Sequence, residues 1–182
     1  MGLKSLFGIL EGNTKRSRGY IGEDDVNRVL ILHSLNNKLH YKIIHNFVMK
    51  SPRAQIDTIY INKDGVFIIE VKNWTGRIIG KEDDDRWNRV ITRNDIQRSF
   101  QYLNPIKQNK SHVYKIKTIL KPNIPIYSLI VFASNNARSL GIDNVVNITG
   151  MSRWLLNIKN DKELTSEEID EIYQILIENK SN

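Results

Sequence analysis

The residues that could do chemistry are concentrated between positions 54 and 76, where Asp57, Glu70 and Lys72 interrupt two apolar segments. Glu70 and Lys72 are two residues apart, so in a β-strand their side chains point to the same face. A charge among apolar side chains is costly unless it is paired or bound to a metal ion. A cross-strand salt bridge to Lys72 is the simpler interpretation, but a salt bridge needs only one acid. The second carboxylate favours a site for a hard cation such as Mg²⁺ or Mn²⁺, which prefers oxygen ligands.

The position of Asp57 depends on how the chain turns between the two segments. Both segments are rich in residues that favour strands, and Asp64-Gly65 between them is a strong β-hairpin signal. A turn made by these two residues alone places Asp57 opposite Lys72, whereas a four-residue loop that starts at Asn62 places it opposite Glu70. Either register puts Asp57 on the face of the other two charged residues, and a loop of odd length puts it on the other face.

Two predicted helices bring further polar side chains to this face. The first is expected over 20–36, with acidic residues in its first turn, where the helix dipole favours them. Glu23 shares the apolar stripe of this helix, so it is either a first-turn acid or an inward carboxylate that reaches a metal on the sheet. The second helix is expected over about 104–120, because Asn104-Pro105 supplies an N-cap and a first-turn proline. Gln108 lies near its N-terminus on a partly buried face.

The remaining segments predict an α/β fold, with a mixed central β-sheet flanked by helices. A continuous apolar run over 126–133 is typical of a central strand buried on both faces. A capping box at 165–168 opens a closing helix. We expect a flexible basic arm over 1–19 and a single domain over 20–182. Besides the hairpin, strands are predicted over 41–49, 77–80, 86–92 and 145–148, and a helical turn over 151–158.

Composition and charge narrow the classes of function. The chain has 182 residues, a net charge of +7 and no cysteine, which excludes disulfides and thiolate chemistry and is typical of a reducing cytoplasmic location. Seven acids and two bases fall after residue 160, so residues 1–160 carry a net charge of +12. Such a basic body is expected of a protein that binds nucleic-acid phosphates. The longest apolar run is too short to span a bilayer, so no membrane partner is expected.

An ordered set of short motifs resembles a known family. The set comprises Gly22-Glu23, Gln55-Ile56-Asp57, Glu70-Val71-Lys72-Asn73-Trp74, Gly76 and Asn104-Pro105 with Gln108. It resembles the nuclease-related domain (NERD) family of the PD-(D/E)XK nuclease superfamily, over roughly residues 19–131. An acid–x–lysine piece alone occurs by chance, and the ordered set is much more specific. The superfamily's proline before the aspartate is replaced here by Ile56.

The resemblance implies a restriction-endonuclease-like fold and a role for each matched residue. Asp57, Glu70 and the backbone carbonyl of Val71 would hold Mg²⁺ or Mn²⁺, and Glu23 would add a carboxylate directly or through water. Lys72 would orient or help deprotonate the attacking water and steady charge on the phosphate. Contacts to the substrate or to the metal ligands are implied for three amide side chains, Gln55, Asn73 and Gln108.

The function expected from these residues is metal-dependent hydrolysis of phosphodiester bonds in nucleic acid, with DNA as the expected partner. One alternative is a nucleic-acid-binding module of the same fold that turns nothing over. Another is a structural domain whose charges only pair. The intact set of Asp57, Glu70 and Lys72 favours the enzyme. The sequence leaves a homodimer and a partner helicase both open.

Overall fold

A computed structural model describes residues 18–51, 53–134, 136–137 and 140–181. Within these residues the chain forms eight strands and four helices. In chain order they are α1 (Arg18–Asn36), β1 (Lys42–Met49), β2 (Ala54–Asn62), β3 (Gly65–Lys72), β4 (Arg77–Ile79), β5 (Arg86–Arg93), β6 (Ile96–Leu103), α2 (Pro105–Lys117), β7 (Ile126–Phe132), β8 (Val145–Asn147), α3 (Ile148–Asn157) and α4 (Ser166–Glu178).

The central sheet has five strands in the order β1-β2-β3-β7-β8. The first three are antiparallel neighbours, whereas β7 runs parallel to β3 and β8 parallel to β7. The middle of the sheet is apolar on both faces, as the run over 126–133 predicts for a central strand. The expected α/β fold with a mixed sheet is therefore confirmed.

Helices cover both faces of this sheet. On one face, Ile116 of α2 and Ile172 of α4 pack in a core with Ile59. On the other face, Val26 of α1 and Met151 of α3 pack in a second core that includes the inner strands. Each fully buried aliphatic side chain contributes about 1.5–3 kcal/mol relative to exposure, so these contacts fix where the helices lie.

The β2–β3 hairpin adopts the second of the two predicted registers. Ile61 pairs with Val66, and the same register continued places Asp57 opposite Glu70. Asn62 also pairs with Gly65, so the loop consists of Lys63 and Asp64 and not of the four residues predicted for this register. Gly65 has a φ of 136°, and a Cβ there would lie 2.6 Å from the carbonyl oxygen of Pro125. Only glycine fits this position without strain, which explains the Asp-Gly signal in the sequence.

A second, three-stranded antiparallel sheet in the order β4-β5-β6 stands beside the central one. The sequence analysis predicted β4 and β5 but assigned no strand to 96–103. The connecting turn is Asn94-Asp95, with φ values of 48° and 60°, and this pair of left-handed residues makes a two-residue hairpin turn. Trp87 is fully buried and stacks against Phe132, which attaches the small sheet to the body of the protein.

Several predicted boundaries shift. Helix α1 begins at Arg18, so Glu23 lies in its second turn and not in its first. Helix α2 ends at Lys117, earlier than the predicted end near residue 120. The capping box before α4 is present as predicted, with Thr165 accepting from the backbone N–H of Glu168. Most of the expected basic arm, 1–17, lies outside the described residues. No helix in the described ranges is long and apolar enough to cross a membrane.

Candidate active site

Glu70 and Lys72 lie on the face of the sheet covered by α2, and Asp57 lies beside them where β2 and β3 separate. The hairpin register places Asp57 opposite Glu70, and Lys72 follows two residues later on the same face. Glu70 is only 2% exposed, and its Oε1 accepts a hydrogen bond from Lys72 Nζ. The salt bridge considered from the sequence is therefore present, but a second carboxylate lies beside it.

Gln108 of α2 completes this cluster. Its Nε2 donates to Glu70 Oε1 at 2.7 Å, and its Oε1 accepts from Lys72 Nζ at 3.3 Å. One amide thus hydrogen-bonds to both members of the ion pair, while the other carboxylate oxygen of Glu70, Oε2, is left without a partner among the described residues. The sequence analysis placed Gln108 near the helix N-terminus on a partly buried face, and the structure confirms that position.

Two buried asparagines hold α2 in place, and of their contacts the sequence predicted only the N-cap by Asn104. Asn104 caps the helix as expected, with Oδ1 accepting from the N–H of Ile106 at 2.9 Å. Its Nδ2 also donates to the carbonyl oxygens of Glu82 and Asp84, at 2.8 and 2.7 Å. Asn109 Nδ2 donates to the carbonyl oxygen of Ile68 at 2.7 Å. The helix that carries Gln108 is therefore tied to both sheets.

Asp57 reaches across the end of the hairpin to the backbone of β3. Its Oδ2 accepts from the N–H of Val71 at 2.8 Å. The N–H and C=O of one strand residue point to the same side of the strand, so the Val71 carbonyl also faces the side of Asp57. This places a carboxylate and a carbonyl oxygen together, as the family resemblance implied.

Glu23 approaches from the other side of the sheet, because α1 packs on the face opposite to α2. Gly22 permits this approach, since a Cβ there would lie 3.1 Å from the Cβ of Ala133 and 3.4 Å from Val71. The Glu23 carboxylate is repelled by the charge of Asp57, and it accepts a hydrogen bond from the Asn46 side chain. Asn46, with a φ of 47°, interrupts the β1–β2 ladder and was not predicted as a site residue.

The three carboxyl groups share one electrostatic feature. Burial raises the pKa of Glu23, Asp57 and Glu70, and the repulsion between Asp57 and Glu70 raises the pKa of Glu70 further. Lys72 opposes the shift at both Asp57 and Glu70. A site that holds several carboxyls against their preference for water is one that a cation would stabilise.

His112 lies one helical turn after Gln108 and also faces Glu70. Its Nδ1 is 3.7 Å from Glu70 Oε2, and neither atom has a hydrogen-bond partner among the described residues. Burial, together with Lys115 and Lys72, lowers the pKa of His112 to about 4. The sequence analysis gave this histidine no role. The sequence feature that could have identified His112 as a site residue is its position four residues after Gln108, on the same face of α2.

The two remaining predicted residues lie at the margins of the site. Gln55 is exposed on β2, two residues before Asp57, and its neighbours Ala54 and Ile56 pack in the core beneath α2 and α4. Asn73 follows β3, and its Oδ1 accepts from Ser134 Oγ at 2.9 Å, so it joins the ends of β3 and β7. Neither position tests the predicted role in substrate contact.

The donor set fits Mg²⁺ or Mn²⁺ in part. Glu70 Oε2 is buried without a hydrogen-bond partner, and two carboxylates and a backbone carbonyl lie in the same region. In the described part of the chain, no three His, Cys, Asp or Glu side chains are close enough to hold one ion. Mg²⁺ typically takes one or two carboxylates and keeps several waters, so Asp57 and Glu70 suffice.

Comparison with known proteins agrees with the motifs. The sequence matches the nuclease-related domain family over residues 18–133, which contain every predicted site residue. A Bacillus anthracis protein, described as uncharacterized, is 28% identical over 181 residues, which cover 93% of this chain and 80% of that protein. No solved structure shows a significant match. The extent of the family match shows that this chain belongs to the nuclease-related domain family.

Proposed function

We propose that this protein is a metal-dependent nuclease that hydrolyses phosphodiester bonds, with DNA as its principal substrate. The observation that carries the proposal is the proximity of Asp57, Glu70 and Lys72 at the end of the hairpin, with Glu70 buried. Two acids and one cationic side chain at the end of a hairpin suit the hydrolysis of a phosphate ester. Membership of the nuclease-related domain family supports the same conclusion.

Asp57, Glu70 and the Val71 carbonyl would hold Mg²⁺ or Mn²⁺, with Glu23 linked through water. The bound ion would acidify a water molecule and neutralise charge on the phosphate. The raised pKa values of the carboxyl groups support this assignment, because a cation would offset the cost of keeping them ionised together.

Lys72 is the residue that would act on the water and the phosphate. Its ammonium lies against Glu70 and Gln108, which fix its position. From there it can orient an attacking water, and it can donate to a phosphate oxygen as negative charge develops. Gln108 hydrogen-bonds to both Lys72 and Glu70 and so holds the two side chains in place, which makes it a positioning residue.

The basic body would bind the nucleic-acid backbone. Residues 1–160 carry a net charge of +12, and phosphate contacts of this kind weaken as salt increases. A cytoplasmic location, expected from the cysteine-free sequence, belongs to the same proposal.

A plasmid-nicking assay with Mg²⁺ or Mn²⁺ tests the proposal. We expect cleavage by the full chain and its loss in Asp57→Asn, Glu70→Gln and Lys72→Ala. Matched controls are Asp161→Asn and Glu171→Gln, which change exposed acids away from the site and should cleave normally. Cleavage that persists in all three site variants would reject the assigned residues.

The second candidate is a nucleic-acid-binding module without catalysis. The pairing of Glu70 with both Lys72 and Gln108 favours it, because one carboxylate oxygen is already satisfied without a metal ion. Salt-sensitive retention of a labelled DNA, with no cleavage under any divalent ion tried, would favour this function over the nuclease.

A further inference from the structure

The three-stranded sheet has a face that begins in the core and ends in solvent. Strand pairing puts Trp87 opposite Tyr102 at its base and Arg93 opposite Ile96 at its tip. Trp87 is buried, whereas nearly all of β6 is exposed. We call the outer part of this surface the wing face, and it consists of Arg89, Ile91, Arg93, Ile96, Arg98 and Phe100.

The wing face is continuous with the candidate active site. Lys72 Nζ lies 5.8 Å from the ring centroid of Trp74, and Trp74 stacks on Tyr102 with centroids 4.5 Å apart. Phe100 lies two residues before Tyr102 on β6, so the two side chains are on the same face of the strand. A row of aromatic side chains therefore leads from the ammonium group of Lys72 to the exposed tip of the small sheet.

The charge of this sheet matches a phosphate backbone. Its strands carry five arginines and no acidic residue. Arg89 is anchored, because its Nε and Nη2 donate to the carbonyl and the Oγ1 of Thr75, each at 2.7 Å. Arg93 and Arg98 are exposed on the wing face. A second copy of the same face would bring arginine against arginine, so self-association is disfavoured.

The apolar residues of the wing face select for an unpaired strand. Phe100 is 41% exposed and Ile96 is 62% exposed. They border a shallow depression of about 380 Å³, which is lined by Ile91, Arg93, Asn94, Ile96, Arg98 and Phe100. A duplex presents phosphates and hides its bases, so these apolar side chains would gain nothing from it. Unpaired bases stack on aromatic rings while arginines hold the adjacent phosphates.

We propose that the wing face binds a single-stranded segment of nucleic acid and leads it past Tyr102 and Trp74 to Lys72. The inference rests on the proposed nuclease function and deepens it, because it names the form of the substrate. Phe100 stacks on a base, and Arg93 and Arg98 contact phosphates.

Binding is measured without metal on the full-length Glu70→Gln protein, by fluorescence anisotropy of a labelled oligothymidylate and of a labelled hairpin duplex. We expect tighter binding of the single strand. Phe100→Ala should weaken it about tenfold, within the usual range for one stacked base. The double change Arg93→Gln/Arg98→Gln should weaken it at least about tenfold and reduce the salt slope by about 1.4, or about 0.7 per lost phosphate contact.

Matched controls separate the wing face from general charge and exposure. Tyr114→Ala removes an aromatic side chain on α2 that is 72% exposed. Arg28→Gln/Arg153→Gln removes two exposed arginines from α1 and α3. Both control proteins should bind the single strand within about twofold of the parent protein, because surface charge far from the contact has a small effect.

Three results would overturn the proposal. The first is binding by the wing variants that equals binding by the controls, and the second is equal affinity for single strand and duplex. The third is a dimer in analytical ultracentrifugation that Phe100→Ala converts to a monomer, which would assign the face to self-association. Failure of the nuclease is seen separately: if the wild-type chain with Mg²⁺ or Mn²⁺ cleaves neither plasmid nor the labelled oligothymidylate while wing-dependent binding is intact, catalysis is rejected and the binding surface is retained.

Discussion

His112 Nδ1 lies 3.7 Å from Glu70 Oε2, and among the described residues neither atom has another hydrogen-bond partner. A neutral histidine with its proton on Nδ1 would direct that proton at the carboxylate. Burial lowers the pKa of His112 to about 4, so the ring is neutral at pH 7. The pair therefore joins α2 to the site without adding a second positive charge beside Lys72.

We predict that His112 makes stability depend on pH. Its pKa is about 4 in the folded chain, below the usual histidine value of 6.5, so on acidification the unfolded chain binds the proton first. The contribution is present above pH 6.5 and is lost as pH falls towards 4, by up to about 3 kcal/mol. Urea unfolding of the metal-free protein at several pH values should show that His112→Gln loses less stability on acidification than the wild type.

The pH profile of the wild type must be compared with that of His112→Gln, because the carboxyl groups of Asp57 and Glu70 change stability with pH in the opposite direction. The raised pKa values of Asp57 and Glu70 mean that the folded state takes up protons first, so these groups favour folding as pH falls. Gln174→Ala, at an exposed position of α4, is the control and should follow the wild type. Parallel pH profiles for wild type and His112→Gln would contradict the prediction.

Asn104→Asp should destabilise the protein although aspartate is an equally good N-cap. The carboxylate keeps the acceptor for Ile106 N–H but removes the donor to the carbonyls of Glu82 and Asp84. Leaving buried acceptors unpaired costs about 1–3 kcal/mol, and the new charge repels the same carbonyls. Urea unfolding at pH 7 measures this loss. A variant as stable as the wild type would show that only the cap matters.

Gly22→Val should displace α1 from the sheet and cost about 1–3 kcal/mol, because it inserts methyl groups into a closed contact. A single Cβ at Gly22 already lies 3.1 Å from the Cβ of Ala133, which is attached to the backbone and cannot rotate away. Gly150→Ala on α3 is the matched control. No atom lies within 4 Å of the added Cβ there, so the change should stabilise by roughly 0.5 kcal/mol. Thermal unfolding of both variants shows whether each change stabilises or destabilises the protein.

The sequence predicted the central sheet well because its signals are local. The apolar run of β7, the strand-forming residues of β2 and β3, and the capping box before α4 each depend on neighbouring residues. Alternation along β3 also placed Glu70 and Lys72 on one face, as their shared contact with Gln108 shows. Alternation does not extend through Asp57, because Ile56 and Ile59 both pack in the core beneath α2.

What the sequence did not predict depends on contacts between distant segments. Strand β6 is exposed along nearly its whole length, so it lacks the alternation that marks a half-buried strand. The clamp by Asn104 joins a turn more than 18 residues earlier to the start of a helix. The approach of Glu23 from the opposite face, and the meeting of His112 with Glu70, follow from helix packing, which no local pattern records.

Gln108→Ala should reduce nuclease activity by about 10- to 100-fold, the usual cost of removing a residue that positions a metal ligand. The amide hydrogen-bonds to both Glu70 and Lys72, at 2.7 and 3.3 Å, so its loss frees both to move. Gln108→Glu should be more harmful, because a second carboxylate repels Glu70 and competes for Lys72. Initial rates of plasmid nicking at saturating Mg²⁺ measure both effects. Gln174→Ala, on the exposed face of α4, is the control. Equal rates for Gln108→Ala and this control would show that the ion pair holds its geometry without the amide.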